Sequence, residues 1–279
     1  MKLVNDLLRP VFDAVQGPLA SLPPLVGVLI WSIPVGIFAL WVFGKTSNQQ
    51  QIAAVKRRIH AGLFEIRLFN DDIRAIGRAQ FEILRHVARY QLLALKPMLF
   101  ILPPLVLVMV QLHQFYGFRG LALNEATLLT VRLDPESIGD RRPDIRLDAP
   151  DGVAVTTGPI WAPALAEMSW QLHPVAEGDF TLEIAVNGET ASKNLHATRS
   201  IVRMSPERPP PTFVDQLEWP SEPPLAAGSA FRSIQLLYPE GVIGLFGWSW
   251  QWSFAWMVIF FALTMVVALA LRKPMGIEL

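Results

Sequence analysis

The residues best able to hold a metal or move a proton are five histidines, His60, His86, His113, His173 and His196, in a chain of 279 residues with no cysteine. They are scattered through helical, apolar and strand-like stretches, without HExxH or any other ligand spacing. No GxSxG, P-loop or glycine-rich fingerprint occurs. Asp140, Asp144, Asp148 and Asp151 stand among Arg141, Arg142 and Arg146, a sparser pattern than a calcium loop requires, and read as a solvated loop. These residue types point away from an enzyme, a resident metal or a cofactor. Without thiols, an exported domain would have no disulfide.

What remains is polar chemistry placed in apolar surroundings. Residues 24–43, 97–118 and 241–271 carry no charge, and each run is long enough to cross a hydrocarbon core of ~30 Å as a helix. Ser32 lies in the first run, Gln111, His113 and Gln114 late in the second, and Gln251, Ser253 and Thr264 in the third. Uncompensated polar groups are costly in hydrocarbon. Two readings stay open: placement at the headgroup level, or the lining of a wet groove by Ser32, Gln111, His113, Gln114 and Thr264. Pro34, Pro103 and Pro104 do not veto helices here, because neighbouring helices can satisfy the freed backbone groups.

The elements that position these residues follow from charge and period. Hydrophobic residues make up 52% of the chain and charged ones 17%, with zero formal net charge. That zero conceals a partition. Residues 45–96 hold ten Lys/Arg against four Asp/Glu, and residues 119–240 hold ten against seventeen. The positive-inside tendency places the first stretch in the cytoplasm and the second outside, with the N-terminus out and the C-terminus in. Three spans result: residues 23–44, 97–118 and, within an interfacial and membrane segment of 241–272, roughly 250–271. A tail, 273–279, is cytoplasmic.

Between the first two spans, residues 45–96 show helical stripes, Ile52, Val55, Ile59, Leu63 and Ile66, then Ile73, Ile76, Gln80, Ile83, Val87 and Tyr90. Asn70–Asp72 supplies cap chemistry between them. The expected element is a cytoplasmic coiled-coil hairpin. Its outward cations are Lys56, Arg57, Arg58, Arg67, Arg74, Arg78, Arg85 and Arg89. They read either as a solvated face or as a surface for anionic lipid or ribosomal RNA.

From residue 119 to 204 the period changes to two, in "TLLTVRL", "DIRLDAP", "GVAVTTG", "EMSWQLHPV" and "FTLEIAVNGETASKNLHAT". Asn187–Gly188 marks a hairpin turn. The expectation is an extracytoplasmic, immunoglobulin-like β-sandwich, followed by a proline-rich linker over 205–240. Trp248, Trp250, Trp252 and Trp256 read as an aromatic belt. Residues 1–22 place Leu3, Val4, Leu7, Leu8, Val11, Phe12 and Val15 at helical spacing, as an amphipathic interfacial helix or a poor signal anchor.

The order of parts, with "LKPMLFILPP" entering the second span and "LALRKPMGIEL" closing the third, resembles the Oxa1 superfamily of membrane protein insertases. The similarity is greatest to its three-span, YidC-like branch. Lys96–Pro97–Met98 and Arg272, Lys273 and Gly276 carry it, and it covers residues 22–118 and 241–279. The resemblance implies an insertase or insertase-like chaperone in a bacterial inner membrane. Its partners would be the lipid bilayer, nascent membrane proteins, the ribosome and other membrane subunits. It also implies a cation in the groove, whereas no Lys or Arg lies inside any of the three spans, and the β domain is an insertion. The alternative is a membrane-anchored binding or scaffold protein whose outer domain recognises a partner; a subunit of a larger transporter also stays open.

Overall fold

The structure, a computed structural model, describes residues 1–69, 71–138, 142–245 and 247–277. Asn70, Asp140 and Arg141, each singled out above, lie outside the described residues. The chain folds into two compact units. One comprises residues 1–28 and 107–258, the other residues 29–106 and 259–279.

The helices are α1 (Lys2–Gln16), α2 (Pro24–Thr46), α3 (Gln49–Leu68), α4 (Ile73–Tyr116), two short helices α5 (Pro135–Ile138) and α6 (Phe213–Glu218), and α7 (Ala255–Leu271). α2 and α4 are long and apolar enough to cross a membrane, with mean hydropathy of 2.3 and 2.2 in their most apolar windows. α4 runs for 44 residues through Pro97, Pro103 and Pro104. Each proline removes an N–H from the ladder, yet the helix continues through all three. The hairpin arm and the second apolar run are therefore one helix.

In the second unit, α3 starts at Asn48, whose side chain accepts from the Gln51 N–H at 3.1 Å. α4 starts at Asp72, which accepts from Arg74 N–H at 2.8 Å and caps the helix. The inner side of the hairpin holds Ile52, Val55, Gly62 and Ala79. Leu63, expected on the inner stripe, is half exposed. Its place is taken by Gly62, where a Cβ would stand 2.7 Å from Ile83 Cγ1, so the helices approach through a glycine. α2 and α7 approach in the same way: a Cβ on Gly36 would lie 2.9 Å from Val267 Cγ1 and 3.2 Å from the Thr264 carbonyl oxygen.

The third apolar run departs from expectation. Gly247 adopts φ +82 and turns the chain between β9 (Val242–Leu245) and β10 (Trp248–Gln251). The alternation Trp-Ser-Trp-Gln suits a strand, so helix begins only at Ala255. α7 is 17 residues, or about 25 Å at 1.5 Å per residue, shorter than the roughly 22-residue span expected.

The first unit is built on two antiparallel sheets. One has the order β3–β4–β1–β8–β7, from β1 (Thr127–Leu133), β3 (Val153–Ala162), β4 (Glu167–Pro174), β7 (Glu207–Arg208) and β8 (Phe231–Leu236). The other has the order β2–β5–β6, from β2 (Ile145–Asp148), β5 (Gly178–Val186) and β6 (Glu189–Ala197). Inward residues of both share one core: Leu129, Val131, Met168, Trp170, Leu172, Ile234 and Leu236 with Leu182, Ile184, Val186 and Leu195. At about 25 cal/mol per Å² of apolar surface buried, this core dominates the unit's stability. The β5–β6 turn is made by Asn187 (φ 50) and Gly188 (φ 87), the left-handed pair that Asn-Gly favours. β8 pairs with β1 although it lies in the stretch read as linker. That stretch therefore completes the sheet as well as returning the chain.

The chain leaves and rejoins the apolar helices at one point. Phe118 bridges Glu240, Gly241 N–H donates to the Gly117 carbonyl at 2.9 Å, and Arg119 N–H donates to that of Pro239 at 3.0 Å. A Cβ on Gly241 would sit 2.2 Å from the Tyr116 carbonyl oxygen, so only glycine permits this approach.

Candidate functional site

α1 turns its polar side inward. Asn5, Gln16 and Phe12 are buried, while Leu3, Leu7, Val11 and Val15 are 81, 66, 53 and 41% exposed. Asn5 Nδ2 donates to the Gln216 carbonyl at 2.7 Å. Arg9 donates to the carbonyls of Pro220 and, at 3.0 Å, Glu222. The helix is thus held by backbone acceptors of residues 216–222, and its apolar stripe stays exposed.

Arg203 completes this clasp. Its Nε donates to Asp13 Oδ1 at 2.9 Å and its Nη1 to Gln111 Oε1 at 2.7 Å, while the guanidinium lies 4.7 Å from the centroid of the Phe115 ring. Burial pushes the Arg203 pKa down and Asp13 pushes it back up. An arginine fork can hold two acceptors and stack on a ring at once, which lysine cannot do. Below it, Gln114 accepts from Ser221 Oγ at 3.1 Å and donates at 3.4 Å to the carbonyls of Val110 and Glu218. Met204 N–H in turn donates to the Gln114 carbonyl at 2.8 Å.

His113 is surrounded by rings. It stacks on Phe254 at 5.1 Å, meets Phe118 edge-on at 5.1 Å, and lies 3.3 Å from Trp256 Nε1 through its Nδ1. Since indole N–H only donates, that nitrogen is the acceptor of the neutral ring.

A buried ion pair fixes the same returning segment. Lys193 Nζ donates to Glu222 Oε2 at 2.6 Å and to Ser205 Oγ at 2.9 Å, and Glu222 Oε1 accepts from Asn194 N–H at 2.7 Å. Burial pushes the Lys193 ammonium down and Glu222 pushes it up.

The five groove candidates divide between the units. Gln111, His113 and Gln114 belong to the first, and all three have protein partners there. Ser32 and Thr264 belong to the second. Ser32 is fully buried and returns its hydroxyl to the Leu29 carbonyl at 2.8 Å. Thr264 Oγ1 is buried with no hydrogen-bond partner among the described residues. Arg57, Arg58, Arg67, Arg74, Arg78, Arg85 and Arg89 are exposed and make no ion pair among the described residues, and Lys56 lies 5.9 Å from the Tyr90 ring centroid.

No protein-family model, curated protein or solved structure matches the chain.

Among the described residues no group of three or more His, Asp or Glu could hold a metal ion. The arrangement can instead offer a partly buried guanidinium and a buried amide at the end of α4, and a spare hydroxyl on α7. Sequence reasoning missed Arg203, Arg9, Asp13 and Asn5. Arg9 and Asp13 stand four apart on the polar face of α1, a visible sign of an inward polar stripe. Nothing local marks Arg203, whose partners lie 92 and 190 residues away.

Proposed function

We propose that the protein is a membrane-embedded insertase or insertase-like chaperone, helping short polar segments and transmembrane helices into a bacterial inner membrane. α2, α4 and α7 are its membrane helices, with the N-terminus and β domain outside and the hairpin and tail in the cytoplasm. The membrane setting is supported by two helices long and apolar enough to cross, and by the outward apolar stripe of α1. It is also supported by Trp248, Trp250 and Trp252, which are 74, 39 and 52% exposed around the β9–β10 hairpin.

One observation carries the functional reading: the partly buried Arg203 guanidinium, stacked on Phe115 and bound to Gln111 at the end of α4. Carrying a charged residue through the centre of a membrane costs ~2.5–3.5 kcal/mol on insertion scales. A fixed cation at the outer end lowers that barrier for an acidic or polar segment and requires no energy source. The cation that the Oxa1 resemblance implies would thus enter from the extracytoplasmic segment instead of a span. Within the second unit, Thr264 would offer its unpartnered hydroxyl to a polar segment, and the basic hairpin would receive nascent chain or ribosome.

The test is site-specific crosslinking from Gln111 and Ser32 to a short-tailed membrane substrate during translation. Crosslinks at both positions, reduced in Arg203→Ala, are expected. Silence at both, with normal expression, rejects the reading.

A second reading, an anchored binding module, is favoured by one feature of the β domain. A shallow cleft of about 330 Å³ on the outer face of the larger sheet exposes Leu128, Ile160 and Leu237. Ile160→Asp with normal insertion but loss of a bound partner would select that reading.

A further inference from the structure

A second cleft lies wholly within the first unit, where the chain leaves and rejoins its apolar helices. It encloses about 270 Å³ and is lined by Pro24, Phe115, Tyr116, Phe118, Ile201 and Val242, with Arg119, Arg199, Thr198 and Ser200 also contributing. Pro24 opens α2 and Tyr116 closes α4. The apolar lining therefore stands where both apolar helices end, and Val242 continues into the tryptophan-bearing β9–β10 hairpin. A site at that level meets both acyl chain and headgroup.

The two guanidiniums differ in availability. Arg119 is held by Glu125 through two bonds of 2.8 and 2.7 Å, which neutralise it locally. Arg199 is exposed and makes no hydrogen bond or ion pair among the described residues. It is followed by Ser200, whose N–H donates to Thr198 Oγ1 at 3.1 Å. The surrounding segment of residues 119–240 carries a net excess of seven acidic residues. Against that acidic background, Arg199 gives the cleft a cation that is not paired among the described residues.

We infer that this cleft binds the phosphate headgroup of an anionic outer-leaflet phospholipid, with Arg199 on the phosphate and an acyl chain against Phe115, Phe118 and Ile201. The inference rests on the membrane reading above, and its test separates the two. The full-length protein is first floated with phosphatidylcholine vesicles, then placed in phosphatidylcholine nanodiscs with graded phosphatidylglycerol. Retained phosphatidylglycerol is counted by native mass spectrometry.

Flotation with preferential retention of phosphatidylglycerol is expected. Arg199→Gln, at an exposed position, should weaken retention about fivefold with an unchanged melting temperature, and Ile201→Trp should weaken it by filling the cleft. Flotation with equal retention by wild type and Arg199→Gln overturns the lipid site alone. Failure to float overturns the membrane reading and the site together. Inorganic phosphate that binds the lipid-free protein through Arg199 and displaces the lipid would make this a free-phosphate site and overturn the lipid assignment.

Discussion

Arg203 and Gln111 are joined at 2.7 Å across 92 residues of sequence, and the same guanidinium holds Asp13 of the first helix at 2.9 Å. A single side chain thus ties the returning segment to α4 and α1. Arg203→Ala leaves an amide and a carboxylate without their donor. Bonds to charged groups contribute ~1.5–3 kcal/mol each, and the expected loss is on the order of 2–3 kcal/mol for the first unit. Hydrogen exchange across residues 2–16 should rise. Arg203→Lys should fall between wild type and alanine, because it keeps the charge and loses the fork.

Lys193 and Glu222 form a pair with side chains 0 and 5% exposed. Removing one partner strands the other, so Lys193→Met should cost ~3–5 kcal/mol in denaturant unfolding. The double variant Lys193→Met/Glu222→Gln removes both charges and keeps an acceptor for Asn194 N–H. It should be more stable than Lys193→Met alone. A double variant worse than the single would show that Glu222 acts through contacts other than the pair.

Glu125 gives a pH dependence. The bidentate bond from Arg119 holds its carboxyl below the ordinary value of 4.5, and the Ala122 N–H adds to this. A depressed carboxyl adds stability that is fully present above its unfolded pKa and lost as pH falls through the folded one. The loss therefore lies below pH 4.5. Glu125→Gln should flatten that part of the stability curve and leave the curve's shape unchanged at neutral pH.

Gly27 and Tyr116 test the contact between the start of α2 and the end of α4. A Cβ on Gly27 would lie 2.0 Å from the tyrosine hydroxyl oxygen, which is itself bonded to Gln16 at 2.9 Å. Gly27→Ala should cost ~1–3 kcal/mol through overpacking. Tyr116→Phe in the same chain should recover much of that loss, a coupling that additive contributions would not show.

Thr264 separates stability from function. Its hydroxyl is buried without a partner among the described residues. Thr264→Val should leave stability unchanged or raise it by up to ~1 kcal/mol, and substrate insertion should slow. Unchanged insertion would remove Thr264 from the proposed path.

The strands were legible because their signals are local. "TLLTVRL" is β1 residue for residue, and Asn187–Gly188 turns between β5 and β6 as its left-handed preference requires. The long helices were legible from apolar run and period. The β9–β10 hairpin was hidden because tryptophan suits an interfacial helix as well as a strand. β8 was hidden because the prolines before it read as linker. Of the candidate site, the polar positions could be found, since a glutamine or threonine in an apolar run is conspicuous. Their partners could not. Gln111 and Gln114 are satisfied by Arg203 and Ser221, which no spacing rule connects to them.

The outward-facing stripe of α1 also bears on how the chain is made. Its anchoring acceptors at Gln216 and Glu222 lie 211 and 213 residues downstream of Asn5 and Arg9. At ~5–20 residues per second of synthesis, the first helix waits roughly 10–40 seconds before its permanent neighbours exist. In the proposed membrane setting, Leu3, Leu7, Val11 and Val15 would use that interval to park in the bilayer surface, so that lipid would hold α1 until the late residues arrive to lock it.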